Sequence, residues 1–324
     1  MQPRLDVRVP KPAAMPVVAL LFATLLFGTG CGRAGFILGF FGRTFASLTR
    51  PMDHLPQRIT DPVRPDARLA ALWVGHATVL VQMDDRFILT DPVFTDTVGQ
   101  ISKRLVEPGI DVSALPPIDA VLVSHLHFDH LSLRTLDQIE DKVQRIYLPE
   151  GGAVYVPSSG VPTFELPPWQ SLERDGLRVT AVPVRHVGFR YSGDREWMTH
   201  SYTGYVVEYH GLRVYFGGDT AYTKSFAATG ARFPGIELAI LPIAPIEPRS
   251  FMCRTHTDPN EALHAFHDLG ARHMLAMHFD TFVNSFDEYG AAPRALRAIL
   301  PEHGLDEERV AILKQGQQRV FVPR

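Results

Sequence analysis

Four good metal ligands stand within six consecutive residues of this 324-residue chain, His125-Leu126-His127-Phe128-Asp129-His130. Side chains alternate in an extended segment, so His125 and His127 point the same way and suit one metal ion. Asp129 and His130 lead into the next predicted helix, where they are expected to face a second ion. Imidazole and carboxylate together suit Zn²⁺, Mn²⁺ or iron. The cluster therefore predicts a metal site rather than a solvated loop.

The remaining ligands are expected at the ends of other strands, because sites in layered α/β folds gather where strands terminate. His186, Asp219 and His278 each follow a short apolar run. Two glycines precede Asp219 and allow the backbone to approach a ligand closely. These three residues would complete two coordination spheres.

Alternating strands and helices are predicted to position these ligands. The β-branched run 118–123 predicts a buried strand that ends at the histidine cluster. Asp258 is a good helix N-cap, followed by Pro259 and Glu261, and Gly270 ends that helix. The other predicted strands are 69–74, 79–82, 86–90, 143–148, 177–184, 203–209, 212–216, 238–241, 273–277 and 319–322, with helices at 131–141 and 292–300. The pattern predicts one α/β layered domain over residues 67–324.

Composition limits the partners and the chemistry. The formal net charge is −3 and there is no long basic run, so nucleic acid is not an expected partner. The only two cysteines, Cys31 and Cys253, exclude a disulfide framework and an all-cysteine zinc site. A homo-oligomer stays open.

The N-terminus is typical of an export signal. Basic residues in the first eleven positions precede a stretch from 12 to 32 that is almost entirely apolar or small. Small residues before Cys31 predict a bacterial lipoprotein signal over residues 1–31, with lipid attached to that cysteine. An uncleaved membrane anchor and a cleaved secretory signal remain alternatives.

Residues 32–66 are expected to form a tether between this signal and the body. The stretch from 51 to 65 is proline-rich and polar, a composition that suits a linker. All three interpretations of the signal place the body outside the cytoplasm. The expected location is the cell envelope, with the membrane surface as a partner.

The order of the candidate ligands resembles the signature of the metallo-β-lactamase superfamily. A His-x-His-x-Asp-His run, a lone histidine, Gly-Asp-Thr and a final histidine after a strand occur in that order. The resemblance covers about residues 72–323 and implies a four-layer αββα sandwich with two metals, expected to be Zn²⁺, at one edge. It assigns His125, His127 and His186 to one metal, Asp129, His130 and His278 to the other, and Asp219 as a bridge.

Within that superfamily the chain is similar to N-acylphosphatidylethanolamine-hydrolysing phospholipase D and its bacterial relatives. The matching text is Trp73-Val74-Gly75-His76-Ala77-Thr78, Leu89-Thr90-Asp91-Pro92-Val93-Phe94, Phe216-Gly217-Gly218-Asp219-Thr220-Ala221-Tyr222, Glu247-Pro248-Arg249-Ser250-Phe251-Met252 and His256-Thr257-Asp258-Pro259-Asn260-Glu261-Ala262. Two places depart from that family: Val187 and Phe279 stand where it has tryptophan after a ligand histidine. Both changes lie where the substrate would bind.

The resemblance implies a binuclear phosphodiesterase of phospholipase D type that acts on an N-acylphosphatidylethanolamine-like phospholipid. Two divalent ions about 3.5–4 Å apart would lower the pKa of a bridging water and give hydroxide near neutral pH. Asp129 and Asp219 would hold the metals and orient that water. His256 is expected to contact the substrate or transfer a proton, or to fix the geometry of the site.

Three further residues are assigned to the surroundings of the metals or to the substrate. His76 follows a strand, and Asp91 is expected to accept a hydrogen bond from the free ring N–H of a ligand histidine. Arg104 could contact a phosphate in bidentate fashion or lie at the surface as a solvated arginine. His264 and His267 are interpreted as ordinary residues of the helix after Asp258.

Other functions remain possible on the same residues. A metal-dependent lactonase or other ester hydrolase is the main alternative, because the likeness extends to the L-ascorbate-6-phosphate lactonase group. An iron-dependent oxidoreductase on the same scaffold is a further hypothesis, which metal analysis would separate from a zinc hydrolase. A non-catalytic envelope binding protein is disfavoured because all seven ligand positions are occupied.

Overall fold

The computed structural model describes residues 31–99, 101–156, 160–195 and 197–324. The chain divides into two compact units, residues 1–41 and residues 42–324. Helix α1, Cys31–Ser47, spans the boundary between the units. Within the described ranges, no helix has both the length and the apolar character that crossing a bilayer requires. The predicted signal over residues 1–30 lies outside the described residues.

The segment 42–66 differs from the expected tether, because it belongs to the same compact unit as the body. The backbone N–H of Asp53 donates to Leu105 O at 2.8 Å, and that of Glu107 donates to Asp53 O at 3.0 Å. The amide side chain of Gln82 bonds both the N–H and the C=O of Arg64, at 2.8 and 2.9 Å. The extended backbone that prolines favour is used here for pairing with the body rather than for a free linker.

Among the described residues, sixteen strands and five further α-helices follow α1. The strands are β1 Ala67–Gly75, β2 Thr78–Met83, β3 Arg86–Thr90, β4 Thr97–Val98, β5 Ser102–Lys103, β6 Ala120–Leu122, β7 Ile146–Leu148, β8 Thr163–Glu165, β9 Ser171–Arg174, β10 Leu177–Val182, β11 Gly204–Tyr209, β12 Leu212–Phe216, β13 Leu238–Pro242, β14 His273–Met277, β15 Val310–Ala311 and β16 Gln318–Pro323. The helices are α2 Leu133–Ile139, α3 Ser225–Arg232, α4 Arg249–Met252, α5 Pro259–Leu269 and α6 Ala291–Ile299.

The strands form two seven-stranded sheets and a small two-stranded sheet, β4–β5. One large sheet has the order β16-β1-β2-β3-β6-β7-β8, and the other has the order β15-β14-β13-β12-β11-β10-β9. The strands that precede the candidate ligands, β6, β12 and β14, each pair in parallel with a neighbour. Their carboxyl ends therefore deliver the following loops to one edge of each sheet.

Alternating side chains of β1 show how the layers are built. Leu69, Ala71 and Trp73 belong to the main core between the two sheets, whereas Leu72 and Val74 belong to a second core with Leu136 of α2. A strand buried on both faces reads as a nearly continuous apolar run. Helix α5 covers the outer face of the other sheet through residues such as Leu263 and Phe266. The result is the predicted four-layer αββα sandwich.

Most predicted elements occur within one to three residues of their predicted bounds. Helix α5 has the predicted ends: Asp258 Oδ1 accepts from the N–H of Glu261 at 2.8 Å, and Gly270 closes the helix with φ 60°. The strand predicted over 143–148 is confined to β7, because residues 140–142 continue α2 as a turn of 3₁₀ helix. Strands β8 and β9 and helix α3 were not predicted, since the two strands are short and half exposed.

Candidate metal centre

The candidate ligands converge at the ends of strands from both large sheets. Asp91 directly follows β3, His125 lies three residues after β6, and His278 directly follows β14. His186 and Asp219 follow β10 and β12 in the same way. Ten residues form what we call the metal centre, namely His76, Asp91, His125, His127, Asp129, His130, His186, Asp219, His256 and His278.

Close backbone packing brings the Asp219 loop against the histidine loop. Gly218 has φ 57°, and a Cβ at this position would lie 2.3 Å from Cβ of Ser124. Only glycine fits both the left-handed conformation and this contact. The glycine that the sequence placed before Asp219 is therefore required by the approach of the two loops.

Three histidines form the first ligand group, His125, His127 and His186. Nε2 of His125 lies 2.9 Å from Nδ1 of His127. The ring centroid of His186 lies 4.5 Å from that of His125 and 5.3 Å from that of His127. The ring nitrogens face a common point, as three nitrogen ligands of one ion do.

Four residues form the second ligand group, His76, Asp129, His130 and His278. Nε2 of His130 lies 3.2 Å from Nε2 of His278. Nε2 of His76 lies 2.9 Å from Oδ2 of Asp129. The structure therefore groups Asp129, His130 and His278 as the family resemblance implied, and it adds His76 to them.

Asp219 lies between the two groups. Its carboxylate oxygens are 3.0 Å from Nε2 of His278, 3.3 Å from Nε2 of His130 and 3.9 Å from Nε2 of His186. One carboxylate thus reaches histidines of both groups, which is the position that a bridging ligand requires.

Outward hydrogen bonds fix the ring orientations of the ligand histidines. Nδ1 of His130 donates to Asp91 Oδ2 at 2.6 Å, Nδ1 of His186 to Thr255 O at 2.9 Å, and Nδ1 of His278 to Ala244 O at 3.1 Å. A carboxylate or carbonyl oxygen can only accept, so each Nδ1 carries a proton, and the neutral form of each ring then has its lone pair on Nε2. The lone pairs point into the centre, as in protein metal sites.

Asp91 also orders the start of the histidine loop. It accepts hydrogen bonds from the N–H and the hydroxyl of Ser124, both at 2.6 Å. Because that hydroxyl donates to Asp91, it can accept from Nδ1 of His125, which lies 3.0 Å away. Asp91 thus makes the contact predicted for it and holds one histidine of each group.

Three residues of the metal centre have a strained backbone conformation. His76, Asp91 and His278 have φ values of 55°, 32° and 66°, in the region that L-residues seldom adopt. Such conformations persist where surrounding contacts over-determine them, and they gather at functional sites. The N–H of His278 donates to His76 O at 3.0 Å, so two of the strained residues hold each other.

The charges of these residues fit a bound cation. Burial and neighbouring histidines lower the pKa of His125 and His186 well below the usual range, so both rings are neutral at pH 7. Burial opposes ionisation of Asp219, but His130 and His278 nevertheless hold its pKa well below the usual range. Burial also opposes charge on His130, yet Asp219, Asp129 and Asp91 raise its pKa. The negative electrostatic potential of these carboxylates favours a proton on His130, and it favours a bound metal cation for the same reason.

Two buried histidine nitrogens of the metal centre have no hydrogen-bond partner among the described residues, Nε2 of His186 and Nδ1 of His256. A buried polar atom left unpaired costs about 1–3 kcal/mol. A cation between the ligand groups would pair the His186 nitrogen. The donor set, the inward lone pairs and this orphaned atom together fit divalent metal ions.

His256 borders the centre on the side of His186. Its Nδ1 lies 3.6 Å from Asp219 Oδ2, its ring centroid is 5.1 Å from that of His186, and its side chain is 14% exposed. Arg249 donates to His256 O at 3.0 Å and forms an ion pair with Asp258 at 3.2 Å, which fixes this loop to the start of α5. Burial lowers the pKa of His256 to about 4. A neutral ring at the opening of the centre suits substrate contact.

Arg104 corrects one expectation. Its side chain is 1% exposed, and it donates to Val93 O and Thr95 O while stacking 4.9 Å over the ring of Phe282. Burial lowers its pKa to about 9. Arg104 is therefore not a surface arginine: Nε and Nη2 hold the loop after β3, and the buried Nη1 has no hydrogen-bond partner among the described residues.

Sequence reasoning missed Arg190. This buried arginine donates to the carbonyls of Leu126 and Leu131, at 2.9 and 2.8 Å, on either side of the ligands Asp129 and His130. Its guanidinium also lies 4.3 Å over the ring of Phe128. The only available signal was its position four residues after His186, which does not distinguish it from a surface arginine.

Comparison with known proteins places this geometry in a family. A family model described as a beta-lactamase superfamily domain matches residues 86–279. An uncharacterized protein of Mycobacterium tuberculosis is 35% identical over 79% of this chain and 71% of its own length. The N-acyl-phosphatidylethanolamine-hydrolyzing phospholipase D 1 of Caenorhabditis elegans is 31% identical over 72% of this chain and 70% of its own length.

A solved structure shares the fold. Igni18, a metallo hydrolase from the archaeon Ignicoccus hospitalis, superposes with a TM-score of 0.58 at 19% identity, over 78% of this chain and 97% of its own. The curated relatives of this chain include metal-dependent hydrolases, and this chain is one as well. The chain belongs to the metallo-β-lactamase superfamily.

Proposed function

We propose that this hydrolase is a binuclear zinc phosphodiesterase of phospholipase D type that acts on N-acylphosphatidylethanolamine-like phospholipids. The strongest support for two ions is the convergence of inward lone pairs from His130, His186 and His278 around Asp219. Nitrogen and oxygen ligands without cysteine suit zinc, although manganese and iron accept the same set. The name of the Caenorhabditis elegans relative supports the substrate class.

The two ligand groups assign the residues that would hold the ions. His125, His127 and His186 would hold one ion, Asp129, His130 and His278 the other, and Asp219 would contact both. When bound, a pair of divalent ions supplies Lewis acidity and a water activated near neutral pH. His76 would act through Asp129, whose carboxylate it orients.

His256 would meet the substrate at the opening of the centre. Its ring is neutral at pH 7 because burial lowers its pKa to about 4. A neutral imidazole offers one donor and one acceptor nitrogen. His256 can therefore accept a hydrogen bond from an attacking water or donate one to a phosphodiester oxygen.

Aromatic side chains and one cationic side chain lie beside His127, a combination that suits an amphiphilic substrate. The ring of Phe189 lies 5.5 Å from that of His127, and the guanidinium of Arg195 lies 5.7 Å over Phe189. Phe128 and Tyr191 extend the aromatic surface, with ring centroids 5.6 Å apart. Apolar rings with a nearby cation would suit acyl chains joined to an anionic phosphate.

The test is a lipid-mixture assay in water enriched with ¹⁸O, read by mass spectrometry. Cleavage of phospholipase D type forms phosphatidic acid with ¹⁸O on phosphorus and releases an N-acylethanolamine. We expect these products with the wild-type chain and with Asp141→Asn, which changes an exposed carboxylate, but not with Asp129→Asn. If no phosphodiester is cleaved while a lactone or carboxylic ester is, the alternative ester hydrolase replaces the proposal.

Metal analysis of protein purified without added metal tests the cofactor separately. Two equivalents of zinc per chain are expected. Iron in place of zinc would favour the oxidoreductase hypothesis over hydrolysis. One equivalent of zinc per chain would agree with a metal-dependent hydrolase but would contradict a binuclear centre.

We also propose that the enzyme works at the cell envelope, attached through a lipid on Cys31. The support is the sequence pattern before this cysteine and the advantage of holding an enzyme close to a lipid surface. Labelled palmitate is expected to enter the wild-type protein in bacteria and not Cys31→Ser. Labelling of neither, with both proteins still in the membrane fraction, would favour an uncleaved anchor.

A further inference from the structure

Three histidines gather on the outer face of helix α5, and none of them belongs to the metal centre. His264 and His267 lie on α5, and His303 ends the 3₁₀ turn Leu300–His303 that follows α6. The ring centroid of His303 is 5.8 Å from that of His264 and 5.8 Å from that of His267. We call these residues the outer histidine trio.

The spacing of the trio approaches that of metal-bound imidazoles. Residues three apart on a helix lie on the same face, so His264 and His267 both face His303. Two imidazoles on one tetrahedral ion, with metal–nitrogen bonds of about 2.0–2.1 Å, have centroids about 5 Å apart. In the metal centre the corresponding separations include 4.5 and 5.3 Å. The three rings do not yet form a closed ligand group, but His264 and His267 lie at exposed helix positions where their side chains can rotate toward one ion.

The donor chemistry of the trio also suits a metal ion. Nε2 of His303 lies 3.2 Å from Oδ1 of Asn260, an oxygen that can only accept, so Nδ1 of His303 keeps its lone pair. Burial and the neighbouring His303 and His264 lower the pKa of His267, so its ring is neutral at pH 7. Asn260 thus orients His303 as Thr255 and Ala244 orient histidines of the metal centre.

We infer that the outer histidine trio binds one borderline transition-metal ion in addition to those of the metal centre. Imidazole ligands suit Zn²⁺, Ni²⁺ and Cu²⁺, with affinity rising toward Cu²⁺. The ion would join α5 to the turn after α6, two elements that are 31 residues apart between Leu269 and Leu300. A ligand that binds only the folded chain raises its stability, so occupancy of the trio stabilises this face of the sandwich.

The experiment titrates the full chain, zinc-loaded in its metal centre, with Ni²⁺ alone. Calorimetry gives the affinity, and elemental analysis after desalting counts nickel and zinc in the same sample. The wild-type chain is expected to gain one nickel per chain without losing zinc, and its Tm is expected to rise by a few degrees. His303→Asn and His267→Asn are expected to bind nickel at least about tenfold more weakly.

His210→Asn is the matched control, because His210 is an exposed histidine in the turn between β11 and β12. It should bind nickel as the wild type does. The exposed position of His267 lets its variant keep the native fold, which circular dichroism and an unchanged zinc content verify. Asn260→Ala provides a second variant that leaves all three histidines in place.

The inference would be overturned if no nickel bound outside the metal centre, or if His303→Asn bound nickel with the same affinity as the wild type. It would also be overturned if His210→Asn lost as much nickel affinity as His303→Asn. Nickel that replaces zinc to the same extent in the wild type and in His303→Asn would also overturn it. The readouts do not depend on lipid hydrolysis. Failure of the trio and failure of the proposed phosphodiesterase activity are therefore distinguishable.

Discussion

Histidine side chains occur in both the metal centre and the outer histidine trio, but they are mostly buried in the first and mostly exposed in the second. In the centre, His125 and His130 are buried, and their remote nitrogens are fixed by Ser124 and Asp91. In the trio, His264 and His267 are exposed, and within the described ranges only His303 has a hydrogen-bonded ring nitrogen, to Asn260. Exposed side chains lose conformational entropy when they bind an ion. Buried rings that are already fixed have lost that entropy during folding, so binding costs them less. The centre should therefore bind metal more tightly than the trio.

The largest expected effect tests whether Asp219 joins the two ligand groups. Asp219→Asn removes the charge that lies within 3.0–3.9 Å of histidines from both groups. We expect kcat/KM to fall by about 10³-fold, or about 4 kcal/mol, and the metal content to drop from two equivalents to one or fewer. Steady-state kinetics with elemental analysis measures both, and Asp141→Asn serves as the control. Two retained equivalents would mean that Asp219 does not bridge.

The next effect compares the residues that orient histidines in the two places. Asp91→Asn weakens a charged contact to His130, so metal affinity in the centre is expected to fall about 10–100-fold. Asn260→Ala removes a neutral contact to His303, so nickel affinity in the trio should fall less, by about tenfold or below. Competition with a chromophoric chelator measures both. A larger loss at the trio would reverse the comparison.

A smaller effect is expected from Arg190→Met. This change leaves the carbonyls of Leu126 and Leu131 without their donor, which should lower the free energy of unfolding by about 1–3 kcal/mol. Activity should fall about tenfold through loosening of the ligand loop, with metal still bound. Urea denaturation and kinetics test this, with Arg134→Met as a control at an exposed arginine of α2. Unchanged stability would show that the loop holds its shape without Arg190.

The smallest effect concerns pH. Protons compete with metal for ring nitrogens. Burial lowers the pKa of His125, His127 and His186, so their rings stay neutral as the pH falls through the ordinary histidine value of 6.5. The first group should therefore keep its metal at pH 6.5 and lose it only under more acidic conditions. Elemental analysis after dialysis at stepped pH checks this, and half-loss above pH 6.5 would contradict it.

The sequence could predict the fold and the ligands because both depend on local pattern. His186, Asp219 and His278 were identifiable because each follows an apolar run that became a strand. Asp91 could be predicted for the same reason, since it directly follows β3. The ends of α5 were predictable from Asp258 and Gly270, whose roles are set by nearest neighbours in the chain.

The features that sequence could not predict depend on distant contacts. The residues that flank Arg104 and Arg190 in the sequence do not indicate that each guanidinium is buried against carbonyl groups of another loop. His264 and His267 were interpreted as ordinary helix residues because His303 lies far along the chain from them. The segment 42–66 has a linker's composition, and its attachment is visible only through its bonds to residues such as Leu105 and Gln82.

The pairing of β1 with β16 affects when the protein can fold during its synthesis. Ala67 lies opposite Pro323, so β1 is completed only by a strand that lies 256 residues later in the chain. Folds dominated by such distant pairings form slowly. The His125 loop must therefore wait, unfolded or partly folded, until His278 and β16 have been synthesised. We expect metal to enter only after β16 has been synthesised, when the fold has closed around β1.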